Sequence, residues 1–430
     1  MARLFYSLIL TLALPFLFIR LLIQSPPSHP YRRRIGERFT VGRWPFKTDR
    51  VLGLIWIHAV SVGETAAAAP LIEELLANES DWQILVTSMT PTGSDHVIKL
   101  FGNRVLHCYC PYDVPVLMRR FIAYTRPALC VLMETELWPN LIHSCRKQKV
   151  PVMLANARMS RESARSYARL GKPVREMLRS IDCIAAQYQP DADRFIELGA
   201  SSGRVRVAGS LKFSTPVALT PASPISILDS VRASGRRVII AASTRDKEEE
   251  KVLDAFEMVL KSDADILLLL VPRHPQRFQG VAGLCEALGF NLQRRSEADN
   301  LSPSTNVLLG DSMGEMGQYF AVSDLAFVGG SLVDTGCQNV LEPAAQGLPI
   351  VVGPSQYNFA SICTELEKAG ALITVQDARG LATTLVSLLH APERREAMAR
   401  AGKELVKRNQ QALPTHREII LGMLTGQNSV

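Results

Sequence analysis

Several short stretches of this chain place charged or hydroxyl-bearing residues beside glycine where an apolar, β-rich run gives way to a helical one. The first is HAVSVGE, His58–Glu64. Glu64 falls at a helix amino terminus, where the helix dipole favours a carboxylate. A carboxylate there can take a hydroxyl proton as general base, and Gly63 permits a tight turn. The same residues could also serve only as a helix cap, with Ser61 or Glu64 satisfying free N–H groups. The second is METELWPN, Met133–Asn140, where Glu134 and Glu136 follow an apolar run and Pro139 suits a first helical turn. The third, GSLKF, carries Lys212, an ammonium able to offset phosphate charge in a transition state or simply to lie exposed in a loop.

Three further stretches carry anion or nucleotide chemistry. VPRHPQRF groups Arg273, His274 and Arg277 after a strongly apolar run, and guanidinium forks bind phosphate with two prongs. GDSMGEMG, Gly310–Gly317, opens a helix, and free N–H groups there can cradle phosphate or ribose. It lacks the G-x-G-x-x-G spacing, so no dinucleotide redox cofactor is expected. GGSLVDTGCQNVLEPAAQG sets Asn339 at a helix start and Glu342 near its amino end, where a carboxylate can grip ribose hydroxyls or compensate the dipole. The D-x-D strings at Asp191–Asp193 and Asp263–Asp265 lie away from these stretches and read as structural, so no metal site is expected.

The elements that must position these residues alternate. Strands are expected at Leu54–His58, Gln83–Thr87, Arg104–His107, Ala128–Met133, Pro151–Leu154 with Ala155, Asp182–Ala186 and Val205–Ala208, with helical stretches between them. After a proline-rich break the pattern restarts at Arg237–Ala241, Asp265–Val271, Asn306–Leu309, Leu325–Val328 and Leu348–Val352. Strand–helix alternation predicts parallel sheets covered on both faces. The fold class is α/β: two doubly wound, Rossmann-like domains that bind ligands at strand carboxyl ends, in a cleft between them. The expected divisions are an anchor over 1–25, a first domain over 26–213, a linker over 214–224 and a second domain over 225–430. The tail from Gly380 to about Leu424 reads as helical and as able to cross back to the first domain.

The 430 residues suit two domains rather than one. The net charge is +7, with much of the excess at Arg20, Arg32, Arg33, Arg34, Arg38, Arg43, Lys47 and Arg50. Apart from Arg20, which lies near its end, that cluster follows Leu4–Ile23, a stretch of the length that spans a bilayer, a re-entrant or interfacial helix being the alternative. The cluster suits anionic lipid headgroups and predicts that the bulk of the protein faces the cytoplasm. No nucleic-acid motif accompanies the charge. A second basic series, Arg158, Arg161, Arg165, Arg169, Lys172, Arg175 and Arg179, could meet phosphates or be an ordinary solvated face. None of the eight cysteines forms a C-x-x-C pair, which predicts free thiols in a reducing compartment.

Taken in order behind the apolar amino-terminal stretch, HAVSVGE, METELWPN, NARMS, GSLKF, VPRHPQRF, GDSMGEM and GGSLVDTGCQNVLEPAAQG resemble the transferases of 3-deoxy-D-manno-octulosonic acid (Kdo). The resemblance runs over nearly the whole chain. It implies a B-type glycosyltransferase fold, CMP-Kdo as donor, lipid IVA as acceptor, inversion at the anomeric centre and no metal or other cofactor. It implies Glu64 as the base, with Glu134 and Lys212 supporting the transition state. It implies that CMP is held by Pro272, Arg273, Met313, Gly314, Glu315, Asn339, Val340, Leu341 and Glu342. The implied place is the bacterial inner membrane, with a single-pass anchor and cytoplasmic catalytic domains. A B-type enzyme using another nucleotide sugar (a UDP-sugar transferase or epimerase) and an inactive membrane-tethered scaffold are the alternatives.

Overall fold

The central strands are unbroken apolar runs because helices cover both of their faces. Leu129–Met133 and Ile266–Pro272, for example, are buried at every position. The computed structural model describes residues 2–24, 34–42, 44–46, 48, 53–79, 81–214 and 225–426. Among them are two seven-stranded sheets in which each pairing between neighbouring strands is parallel.

The first sheet contains β1 (Gly53–His58), β2 (Trp82–Ser88), β3 (Leu106–Tyr109), β4 (Leu129–Met133), β5 (Val152–Ala157), β6 (Cys183–Ala186) and β7 (Val205–Val207). Its order is β3-β2-β1-β4-β5-β6-β7. The order reverses between β1 and β4, so a crevice opens at their carboxyl ends, where doubly wound sheets bind ligands. The second sheet contains β8 (Arg237–Thr244), β9 (Ile266–Pro272), β10 (Leu292–Arg294), β11 (Val307–Leu309), β12 (Leu325–Val328), β13 (Ile350–Val352) and β14 (Leu372–Thr374). Its order is β10-β11-β9-β8-β12-β13-β14, with the reversal between β8 and β12. The three-residue edge strands β10 and β14 were not expected, being too short to show a period.

Two units result. One groups the residues up to Ser214 with those from Asn409 onward, and the other ends at Arg408. The helix Ala412–Thr425 packs Ala412, Ile419 and Ile420 into the core of the first unit. The expected linker, apart from Ser214, lies outside the described residues.

Among the described residues no helix is long and apolar enough to cross a membrane. The stretch expected to do so is a helix, Ala2–Gln24, docked on the first unit. Arg3 and Ser7 donate to Asn140 Oδ1 at 3.1 and 2.8 Å, and Tyr6 donates to Asp113 at 3.1 Å. Of the basic cluster, Arg32, Arg33, Arg43, Lys47 and Arg50 lie outside the described residues. Arg38 turns inward instead of toward lipid: it is buried, donates to the Met89 carbonyl and stacks 4.0 Å from the Tyr109 ring centroid. Arg34 pairs with Glu37 at 2.6 Å.

Candidate active site

At the carboxyl end of β1 the chain turns into the helix Val62–Asn78, capped by Ser61. Glu64 lies in its first turn. Its carboxylate accepts the Val60 N–H at 2.7 Å and the Ser61 hydroxyl at 3.1 Å, while the Glu64 N–H donates back to Ser61 Oγ at 3.4 Å. This is a capping box in kind, so Glu64 does cap the helix. The cap does not exhaust it, because burial, opposed by those two hydrogen bonds and reinforced by the charges of Glu136 and Glu134, pushes its pKa up to about 7. A carboxyl poised near neutrality is tuned for proton transfer.

Glu134 follows β4 with φ 53°, a left-handed conformation that costs about 1–3 kcal/mol in a non-glycine residue. Its side chain pairs with Lys212, whose Nζ lies 2.9 Å from Oε1, with both side chains mostly buried. Glu136 accepts the Trp138 indole N–H at 2.6 Å, and burial raises its pKa. Trp138 in turn stands edge-on to His58, 4.7 Å between centroids. Complete burial pushes His58 down to about 3, so this histidine is a neutral packing partner and not a proton acceptor. The first unit thus gathers Glu64, Glu134, Glu136 and Lys212 at the sheet's reversal point.

In the second unit a cavity of about 200 Å³ opens at the carboxyl ends of β8, β9 and β11. Six of the expected residues line it: Pro272, Arg273, Met313, Gly314, Asn339 and Glu342. Asn339 donates to Glu342 Oε1 at 2.8 Å and accepts the Leu341 N–H at 3.0 Å, so one side chain satisfies the first N–H of the helix Leu341–Gln346 and orients the Glu342 carboxylate. Gly314 adopts φ +83°, which a side chain would resist. Glu315 is not in the lining. It sits beside it, accepting from Tyr319 Oη at 2.9 Å and pairing with Arg295 at 2.9 Å. Val340 and Leu341 point into the core, both fully buried, and position their neighbours. Arg277, expected beside Arg273 as an anion ligand, is already neutralised by Glu249 at 2.9 Å and by Asp246.

Two matches to protein families divide the chain along the same halves. Residues 33–215 match the family described as 3-deoxy-D-manno-octulosonic-acid transferase (kdotransferase), and residues 235–405 match glycosyl transferases group 1. The chain is 38% identical to 3-deoxy-D-manno-octulosonic acid transferase of Haemophilus influenzae, covering 96% of each chain. It is 40% identical to the enzyme of the same name from Bordetella pertussis, over 81% of this chain and 82% of that one. This chain belongs to the Kdo transferase family. Among solved structures, the C-terminal CMP-Kdo binding domain of WaaA from Acinetobacter baumannii is 34% identical, covering 42% of this chain and 99% of that one, with a TM-score of 0.39.

As a Kdo transferase family member the chain is a glycosyltransferase enzyme with two Rossmann-like domains of the B type. Sequence reasoning missed several residues that build its two sites. Asn156, at φ 52°, accepts the Leu211 N–H at 3.0 Å and so fixes the turn that carries Lys212. His416 comes from the tail, 260 residues away, and its Nε2 accepts the Asn156 N–H at 2.9 Å. Its Nδ1–H donates to the Ala412 carbonyl, and burial pushes its pKa down to about 4, which fixes the neutral tautomer this requires. Glu248 accepts the N–H groups of Gly330, Ser331 and Leu332 at 2.6, 3.0 and 2.9 Å, bracing the glycine loop behind the cavity. Gly329 is needed there because a Cβ would meet the Ser243 carbonyl oxygen at 2.6 Å. Gly329 and Gly330 were the legible half of that arrangement. Glu248 carried no signal, because its partners lie more than eighty residues on. Among the described residues no group of three or more His, Cys, Asp or Glu could hold a metal ion.

Proposed function

We propose that this enzyme moves Kdo from CMP-Kdo to lipid IVA in lipopolysaccharide biosynthesis, with inversion and with Glu64 as general base. The observation that carries the role of Glu64 is its mostly buried place at the carboxyl end of β1, where burial and the charges of Glu136 and Glu134 push its carboxyl up to about 7. In this reading the acceptor hydroxyl gives its proton to Glu64 as its oxygen attacks the anomeric carbon. The bond from that carbon to the CMP phosphate oxygen breaks, and CMP leaves with the electron pair. Lys212, oriented by Glu134, offsets negative charge as the transition state forms. Pro272, Arg273, Met313, Gly314, Asn339 and Glu342 hold CMP, with Glu315, Val340 and Leu341 shaping the pocket around it. Arg273 has the chemistry for the donor phosphate, and Glu342 for the ribose hydroxyls.

The acceptor would come from the bacterial inner membrane, on its cytoplasmic side. The amino-terminal helix supports that reading by the face it leaves outward, where Leu4, Phe5, Leu12 and Phe16 are each more than three-fifths exposed. Such a helix can lie in the lipid interface with its other face on the protein. The exposed arginines Arg161, Arg165 and Arg169, spaced by four on the helix Arg161–Leu170, suit the phosphates of a lipid A precursor.

The test is direct. Purified protein is incubated with lipid IVA, CTP and Kdo, with a CMP-Kdo synthase present to replenish a labile donor. Mass spectrometry reads the lipid, beside Glu64→Ala. Addition of one or more Kdo units, lost in the folded variant, supports the reading and counts the transfers. No addition by folded wild type with donor present would overturn it.

A further inference from the structure

The amino-terminal helix does not close tightly on the first unit. Its inward side chains Tyr6, Leu10, Leu14 and Leu17 face Tyr112, Asp113, Val114 and Trp138 across an open, mostly apolar cavity of about 170 Å³. The apolar side chains that line such a gap forgo the dispersion contacts of close packing. The helix is nonetheless held in place by polar bonds at its start, from Arg3, Tyr6 and Ser7 to Asn140 and Asp113. Asp113 is itself fixed, accepting the N–H groups of Asn140 and Leu141 at 3.0 and 2.7 Å. The gap is therefore built into the docking and is not slack in a frayed end.

One wall of the cavity belongs to the candidate active site. Trp138 lines it, and the same indole donates to Glu136, whose charge bears on Glu64. The volume is below the 300–1,000 Å³ or so of a pocket for a whole small molecule, and suits one linear apolar segment. The opposite face of the helix is exposed and apolar, so a lipid surface would bring hydrocarbon to the cavity's rim.

We propose that this cavity takes an acyl chain of the lipid acceptor, seated between the amino-terminal helix and Trp138, and so sets acyl specificity. The inference rests on the lipid acceptor of the proposed function. Filling the cavity should weaken acceptor binding in proportion to the methylenes displaced, while enlarging it should admit a longer or branched segment.

The experiment uses the full chain in mixed micelles and a series of acceptors with one headgroup and acyl chains of increasing length. Wild type, Leu14→Trp and Leu14→Ala are compared for KM, kcat and, without donor, direct acceptor binding. The expected result is a KM for the long-chain acceptor raised about tenfold in Leu14→Trp, with kcat within about twofold and a flattened chain-length dependence. Leu14→Ala should move the preferred length upward. Folded variants that keep the wild-type KM and length profile would overturn the proposal. If wild type transfers to no acceptor although donor is intact, the lipid reading itself has failed. The donor-free binding series then still decides the cavity, since equal affinity of wild type and Leu14→Trp for the long-chain lipid excludes it.

Discussion

The carboxylate cluster of the first unit and the cavity of the second are built on the same doubly wound plan but held together differently. In and beside the cavity, polar residues fix one another over short distances in sequence. Asn339 holds Glu342 three positions on, and Ser312 holds Glu315 at the same spacing. In the cluster the support is remote: Leu211 depends on Asn156, fifty-five residues away, and Asn156 on His416 in the tail. The proposed donor side is therefore a set of loops braced by their own helices. The pairing of Glu134 with Lys212 leans on a turn that Asn156 and, through it, the tail hold in place. Substitutions in the two regions should fail in different ways.

The largest effect is expected at Glu64, whose support is local although its cluster is not. Glu64→Gln keeps the cap's shape and removes the proposed base, so kcat should fall by about 10²–10⁴ with donor affinity unchanged. Wild-type activity should rise with pH through about 7, the pKa of Glu64, because only the ionised form accepts a proton. Stability should move the opposite way. A carboxyl that burial pushes up to about 7 from its ordinary range destabilises the folded state while it is ionised. That penalty is absent below the unfolded pKa and complete above the folded one. Glu64→Gln should therefore melt above wild type at pH 8, with the difference closing as pH falls toward 5. A variant that melts below wild type at pH 8 would mean that Glu64 serves mainly as a cap.

Lys212→Met comes next. It leaves Glu134 strained at φ 53° with no cation beside it. Loss of transition-state stabilisation should lower kcat by about 10², and removal of a nearby positive charge should shift the acidic limb of the pH profile upward. An unshifted limb in a slow enzyme would confine Lys212 to the leaving group and separate it from Glu64.

The contrast between the regions also marks what the sequence could show. Every strand long enough to display an apolar run was legible, as were the turns that end β1, β4, β9 and β11, because glycine, proline and acidic residues punctuate them locally. Glu64, Glu134 and Lys212 were legible as separate motifs. That Glu134 and Lys212 form one pair was not, since a 2.9 Å contact across seventy-eight residues leaves no trace in spacing. His416 was invisible for the same reason, lying in a tail whose helical period advertises Ile419 and Ile420 and not a buried ring. Arg277 misled in the other direction: its type suited an anion, but Asp246 and Glu249 reach it first. The apolar run at Leu4–Ile23 was readable as a helix, while its docking depends on Asn140 and Asp113, which no hydropathy window includes.

His416→Ala tests the remote support. It removes a buried ring and leaves the Asn156 N–H without its acceptor, which should destabilise the first unit by about 2–4 kcal/mol. Unfolding should then split into two transitions, the first-unit one shifted down and the second unchanged, since the units hold separate cores. CMP binding measured by calorimetry should survive while transfer weakens. A single transition that moves as a whole would show that the tail couples the two units energetically, and the contrast between remote and local support would lose its force.

Asn339→Ala should have the smallest effect and the most local one. It removes both the acceptor of the Leu341 N–H and the donor that orients Glu342. Loss of one such hydrogen bond costs about 1 kcal/mol, here at the start of a six-residue helix where Val340 and Leu341 stay anchored in the core. Melting should therefore change by no more than a few degrees. Freed from Asn339, the Glu342 carboxylate must be ordered by the ligand itself, so CMP should bind about tenfold more weakly, with kcat at saturating donor little altered. Asn339→Asp separates the two roles, because aspartate still accepts the Leu341 N–H but repels Glu342. If Asp binds CMP as well as Asn does, the bond to Leu341 alone matters. If Asp binds no better than Ala, the hydrogen bond to Glu342 is what preorganises the cavity, and the donor side is held together from within as its short-range bonds indicate.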